Sequence, residues 1–297
     1  MSEHPSTASA LTVLLVALLA VSHGSIFIRV ADAHPFVISA FRVGIAASVV
    51  VPLAFALRWR ELRALDRRTL AYGMGAGCFL ALHFITWVTS LQYTSIANST
   101  VLVTLNPVWI AIVMTIATRA RPSNMVITSV GLSVAGSIII GCGSAGAGAG
   151  EGSNALFGDG LALMGGMCAA GYLMLGKLVR QAGVSLLSYV AICYGVAATL
   201  LWVLVLAMDL PITGLSNETY AAMIAMALVS QVIGHSGYNW SLKVFNPGFI
   251  AVCLLGEPIL ASTFGLIYFG EAIPLATLAG APIIMTGIYL RARAELR

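Results

Sequence analysis

Apolar residues run in long, almost uninterrupted stretches, and the polar positions cluster in the short gaps between them. A helix rises about 1.5 Å per residue, so about 20 apolar residues cross a hydrocarbon core of about 30 Å. Runs of that length recur along the whole chain and predict ten membrane-spanning helices, at 10–29, 36–57, 70–91, 95–117, 124–142, 156–176, 185–208, 219–241, 246–268 and 274–292. Composition agrees, with 59% of the 297 residues hydrophobic and 9% charged, where soluble domains hold about 25% charged residues. The expected fold class is an all-α integral membrane protein in the lipid bilayer, without a soluble domain. The first run has no preceding Lys or Arg and exceeds the usual apolar core of a signal sequence, so it is read as a retained helix.

Charge sets the orientation. Lys and Arg accumulate in cytoplasmic loops because their translocation is disfavoured. Arg58, Arg60, Arg63, Arg67 and Arg68 lie in loop 58–69, Arg119 and Arg121 in 118–123, Lys177 and Arg180 in 177–184, Lys243 in 242–245, and Arg291, Arg293 and Arg297 in the tail. These thirteen of the fifteen basic residues fall on one side of the membrane; Arg29 lies in an opposite loop and Arg42 inside a span. Both termini are therefore expected on the cytoplasmic side of a bacterial inner (plasma) membrane. The net charge of +4 reflects this topology and implies no nucleic-acid partner. Cys78, Cys142, Cys168, Cys193 and Cys253 lie in or at the ends of apolar spans without paired metal-ligand spacing, so neither a disulfide framework nor a metal site is expected.

The one low-complexity segment, GCGSAGAGAGEGSN at 141–154, stands at the chain's midpoint. Read as a Gly/Ala-rich periplasmic linker over 143–155, it separates a five-helix repeat at 1–142 from another at 156–297 within one membrane domain. Sliding the second half onto the first by 151 positions pairs Pro107 with Pro258, Gly136 with Gly287 and Ser90-Leu91 with Ser241-Leu242. Each pairing joins equivalent positions of helices three and eight, four and nine, or five and ten. Five is odd, so a duplicated five-helix unit enters the membrane with opposite orientation. Two inverted repeats are the architecture of many secondary transporters, whose substrates bind near the midplane at broken helices. Asn106-Pro107 and Glu257-Pro258 then hold equivalent places, and each proline removes a backbone donor and is expected to kink its helix. The plainer reading is that these prolines only bend their helices to fit the bundle.

Ten spans, a five-plus-five duplication, and NPVWIAIVMT matched by GEPILASTFGLIYFGEAIPLATLAGAPIIMTGIYL resemble the EamA-type branch of the drug/metabolite transporter superfamily. The second half carries the pattern in Glu257-Pro258, Gly270-Glu271 and Gly287. The first half departs from it, with Asn106 before its proline and Arg119-Ala120 where the second half has Gly-Glu. HGSIFIRVA at 23–31 is similar to the branch's first-helix signature, and Arg42 to its second-helix arginine. Within the branch, the aromatic third helix and sparse membrane charge look most like YddG-type exporters of amino acids.

Ionised groups cost about 2.5–3.5 kcal/mol at the centre of a span, so those retained there usually face inward and serve function. Glu257 is the strongest candidate, as an acceptor for a substrate ammonium, a proton carrier or a charge partner of Arg42. Arg42 itself is close enough to the outer interface for snorkelling to explain it. In helix three His83, Trp87 and Ser90 share a face, and in helix eight His235, Tyr238, Asn239 and Leu242 do. Such stripes suit either a cavity wall or helix-to-helix hydrogen bonds. Tyr172, Asn106 and His23 complete the candidates for substrate contact, with Pro107 and Pro258 as helix-break or gating positions.

Phosphorylated substrates and nucleotides need cations to pair with them in low dielectric, and beyond Arg42 no Lys or Arg lies deep in a span. The expected substrate is a small neutral or zwitterionic molecule such as an amino acid. GYLMLGKL at 171–178 resembles a phosphate loop, but Leu178 stands where Ser or Thr is needed and no strand precedes it. No nucleotide and no cofactor are therefore expected. Gly73, Gly75 and Gly77 suit close packing inside a monomeric bundle or a dimer face. The leading reading is a secondary exporter working by alternating access and not an enzyme. A multidrug efflux permease shares the fold, and an intramembrane enzyme or lipid-handling protein would need His and Glu to converge at one depth.

Overall fold

Ten helices long and apolar enough to cross a membrane are present among the described residues of the computed structural model, which are 6–90, 93, 94, 96–144 and 154–296. They are α1 (Thr7–Val30), α2 (Pro35–Ala64), α3 (Arg67–Ser90), α4 (Val101–Thr118), α5 (Asn124–Cys142), α6 (Ala155–Gln181), α7 (Leu186–Ala207), α8 (Asn217–Ser241), α9 (Pro247–Phe269) and α10 (Leu275–Glu295). No strand occurs among the described residues. Most of the Gly/Ala linker, at 145–153, and Leu91 of the repeat pairing lie outside them. Helix α2 outruns its expected end at residue 57, continuing to Ala64 across a distorted residue at Arg58 (φ −130°, ψ 17°).

Side chains mark where several helices begin. Ser6, Ser185, Ser216 and Asn246 each accept a backbone N–H three residues ahead, which satisfies one of the orphan donors of a first helical turn. Asp66 does the same for α3 through the amides of Arg68 and Thr69 and the Thr69 hydroxyl.

The chain divides into two compact units, residues 1–82 with 171–245 and residues 83–170 with 246–297. The units are not the sequence halves, for each takes helices from both repeats. In the first unit α3 lies tightly on α7, where a methyl at Gly77 would come within 2.6 Å of the Cys193 carbonyl. The glycines of α3 are thus used in intrachain packing. In the second unit α5 lies against α10 through small residues. A methyl at Gly136 would meet the Gly280 carbonyl at 2.8 Å, and one at Gly287 would meet the Ser129 carbonyl at 2.7 Å.

Candidate functional site

In the first unit α6 and α8 bring four of the expected residues together. Tyr172, His235, Tyr238 and Asn239 are all buried. Asn239 donates from Nδ2 to the Tyr172 hydroxyl, and the Tyr238 hydroxyl bonds His235 Nδ1. The rings stand close, with centroids 4.7 Å apart for His235 and Tyr238 and 6.1 Å for Tyr172 and His235. Asn239 Oδ1 is buried and without a hydrogen bond among the described residues.

Helix α8 is not a regular helix here. Met226–His235 forms a π-helical stretch, a feature that recurs at functional sites because it widens the turn and releases carbonyls from their usual partners. The Tyr194 hydroxyl lies 3.3 Å from the Gln231 carbonyl oxygen and 3.0 Å from Ser236 Oγ, so α7 stabilises the altered register. The π-helical stretch ends at His235 and regular helix resumes at Ser236, so the His235–Tyr238 contact at i and i+3 persists.

Arg42 departs from its expected setting. It is only 4% exposed, and its Nε donates to Gln231 Oε1 at 2.9 Å. Snorkelling to the interface is thus overturned: α2 directs the guanidinium into the protein, where an amide receives it. Sequence reasoning missed Gln231. The available signal was a polar SQ pair at 230–231 in an otherwise apolar run.

In the second unit His83 and Trp87 stack, with ring centroids 5.9 Å apart and planes 11° from parallel. His83 Nδ1 lies 3.0 Å from the Gly165 carbonyl oxygen. A carbonyl only accepts, so Nδ1 carries a proton. Trp87 Nε1 and Asn106 Oδ1 are buried and have no hydrogen bond among the described residues.

The two proline motifs interrupt the hydrogen-bond ladder of their helices at the expected places, while Leu255 and Gly256 keep helical dihedrals. Ile96–Val103 ends and a new helix starts at Asn106; Pro247–Leu254 ends and a new helix starts at Glu257. Pro107 and Pro258 occupy the first turns of the new pieces, where a missing N–H costs nothing and the fixed φ favours helix. Neither piece has a side-chain cap, because Leu105 and Gly256 precede them. Glu257 is half-buried in the first turn of its piece. His23, the weaker candidate in α1, bonds its own helix through the Leu19 carbonyl at 2.8 Å.

Among the described residues no group of His, Cys, Asp and Glu could hold a metal ion. An uncharacterized transporter of Archaeoglobus fulgidus is 26% identical over 279 residues, covering 89% of this chain and 91% of that protein. A crystal structure of a protein matches with a TM-score of 0.79 at 18% identity, over 98% of this chain and 99% of its own, which shows a shared fold. The EamA-like transporter family matches residues 8–142 and again 156–292, in the family's two-repeat layout, and this membrane protein belongs to that family of transporters.

Proposed function

We propose that the protein is a secondary transporter that exports small neutral or zwitterionic metabolites, foremost amino acids with apolar or aromatic side chains, across the inner membrane. Both termini lie on the cytoplasmic side in this reading, and a monomer suffices. The buried cluster of Tyr172, His235, Tyr238 and Asn239 carries it. Phenol, imidazole and amide groups beside flat rings suit a molecule with one apolar part and a few polar atoms. Resemblance to YddG-type exporters points to the same substrates. Alternating access serves as the mechanism, with the broken helices at Asn106 and Glu257 supplying its discontinuities.

Counterflow in proteoliposomes tests this. Vesicles loaded with unlabelled phenylalanine, methionine or threonine should accumulate the labelled compound from outside, whereas vesicles loaded with a phosphorylated sugar should not. No accumulation of any amino acid by folded protein would sink the proposal. A second reading, multidrug efflux, is favoured by one observation, the Glu257 carboxylate at a helix start. Accumulation of cationic dyes without amino-acid counterflow would select it.

A further inference from the structure

We propose that the corner between α2 and α3, residues 58–68, is a binding surface for the headgroup of an anionic phospholipid, whose phosphate carries an uncompensated negative charge. The surface is independent of what the protein transports. Arg58, Arg60, Arg63, Arg67 and Arg68 crowd into this corner against two acids, Glu61 and Asp66. All five arginines are exposed. Retention of cations on one side of a membrane asks only for their number. It does not ask that they be gathered at one point or left without partners.

Elsewhere the chain uses cations to hold itself together. Lys177 donates to the Leu242 and Phe245 carbonyls, Arg180 donates to the Val184 carbonyl, and Arg291 pairs with Glu295 at 3.2 Å. Arg58, Arg60, Arg63 and Arg67 instead make no hydrogen bond or ion pair among the described residues. Both acids of the corner are committed to helix starts. Glu61 accepts the Ser185 amide at the head of α7 at 2.5 Å, and Asp66 accepts the Arg68 and Thr69 amides at the head of α3. The corner therefore presents an excess of positive charge whose own chain offers it no carboxylate to bind.

Aromatic rings set the depth. Trp59 is 46% exposed and stands beside Phe55 with ring centroids 5.4 Å apart, and an indole favours the boundary between hydrocarbon and headgroups. Arg63 Cζ lies 5.5 Å from the Trp59 ring centroid, and Arg68 Cζ lies 5.5 Å from that of Tyr72. One guanidinium on each helix is thus held over a ring. Arg68 Nε donates to the Tyr72 hydroxyl at 2.7 Å, which leaves its terminal N–H groups, since a guanidinium has five donors. Guanidinium groups bind phosphate oxygens through paired N–H donors, and the membrane surface supplies phosphate at this level. Each basic residue beside an anionic surface strengthens attachment roughly fivefold.

Native mass spectrometry of the full chain in detergent, titrated with phosphatidylglycerol or phosphatidylcholine, tests this. Wild type should bind phosphatidylglycerol at least tenfold more tightly than phosphatidylcholine, and an equal concentration of inorganic phosphate should not displace it. Arg63→Gln combined with Arg67→Gln should weaken phosphatidylglycerol binding at least tenfold while the unfolding midpoint without lipid stays unchanged. Arg60→Gln with Arg67→Gln takes its place if that pair fails to fold. Arg119→Gln with Arg121→Gln removes the same charge from exposed positions elsewhere and should leave binding within twofold. Equal binding of the two lipids would overturn the proposal, as would equal losses in the two sets of variants, which would make the effect one of net charge alone. Displacement by inorganic phosphate would overturn the lipid as the occupant. Lipid occupancy is read without transport, so counterflow failing leaves the surface standing, and the surface failing leaves the transport reading untouched.

Discussion

In the second unit, residues 96–118, which include α4, and α9 use one design with different chemistry. Eight-residue pieces, Ile96–Val103 and Pro247–Leu254, precede thirteen-residue pieces, Asn106–Thr118 and Glu257–Phe269, at a constant offset of 151 positions. Both second pieces begin with a residue followed by proline, lack a side-chain cap, and end at a left-handed residue, Arg119 (φ 53°) or Gly270 (φ 68°). Helices α1, α7 and α8 instead begin with a serine that accepts a backbone N–H. An uncapped start leaves the positive helix end to whatever comes near it. In α9 the chain supplies a carboxylate there, and in α4 only an amide whose oxygen is buried and unbonded. The backbone is thus duplicated, while the charge belongs to one copy.

The largest expected effect concerns the partners that flank these helices. Gly136→Ala and Gly287→Ala each drive a methyl against backbone carbonyls and should cost up to about 3 kcal/mol. Thermal unfolding in detergent measures both, and unequal losses would show that α5 and α10 do not share the contact evenly. Next, Glu257→Gln should slow counterflow at least tenfold, about 1.4 kcal/mol, with folding intact, whereas Asn106→Ala should slow it about threefold. Equal losses would break the asymmetry between the two starts.

The helix ends offer a finer test. A side chain in the left-handed region costs about 1–2 kcal/mol, so Gly270→Ala should destabilise by about 1 kcal/mol. Arg119→Gly should stabilise by less than that, because glycine gains freedom in the unfolded chain. Opposite signs in unfolding midpoints would support this; equal signs would refute it. The smallest effect belongs to the capped start of α3. The Thr69 hydroxyl, with the Thr69 and Arg68 amides, holds the Asp66 carboxyl below its ordinary value. Its contribution is present above the ordinary carboxylate pKa and fades as pH falls through the lowered one. Asp66→Asn should flatten the acid limb of stability slightly, and an unchanged limb would remove Asp66 from that role.

Much of this was legible before any coordinates. Apolar run length located the ten helices, since crossing a membrane needs little beyond length and hydrophobicity. The matched prolines marked both interruptions, because a missing donor opens the hydrogen-bond ladder wherever it falls in a helix. Helical spacing placed His235 beside Tyr238 correctly. It could not reveal the π-helical turn, which depends on Tyr194, a residue of another helix. For the same reason Arg42 looked like an interfacial anchor until its partner Gln231 was known.

The division of helices between the units also bears on how the protein is made. The first unit holds its full set of helices once Phe245 has been synthesised, but the second includes residues up to Arg297. Helix α5 leaves the ribosome with Ser129, Ser133 and Gly136 facing a helix that does not yet exist. About 130 further residues must follow before α10 begins, on the order of 10 s at bacterial elongation rates. During that interval the small-residue face of α5 has no α10 to pack against.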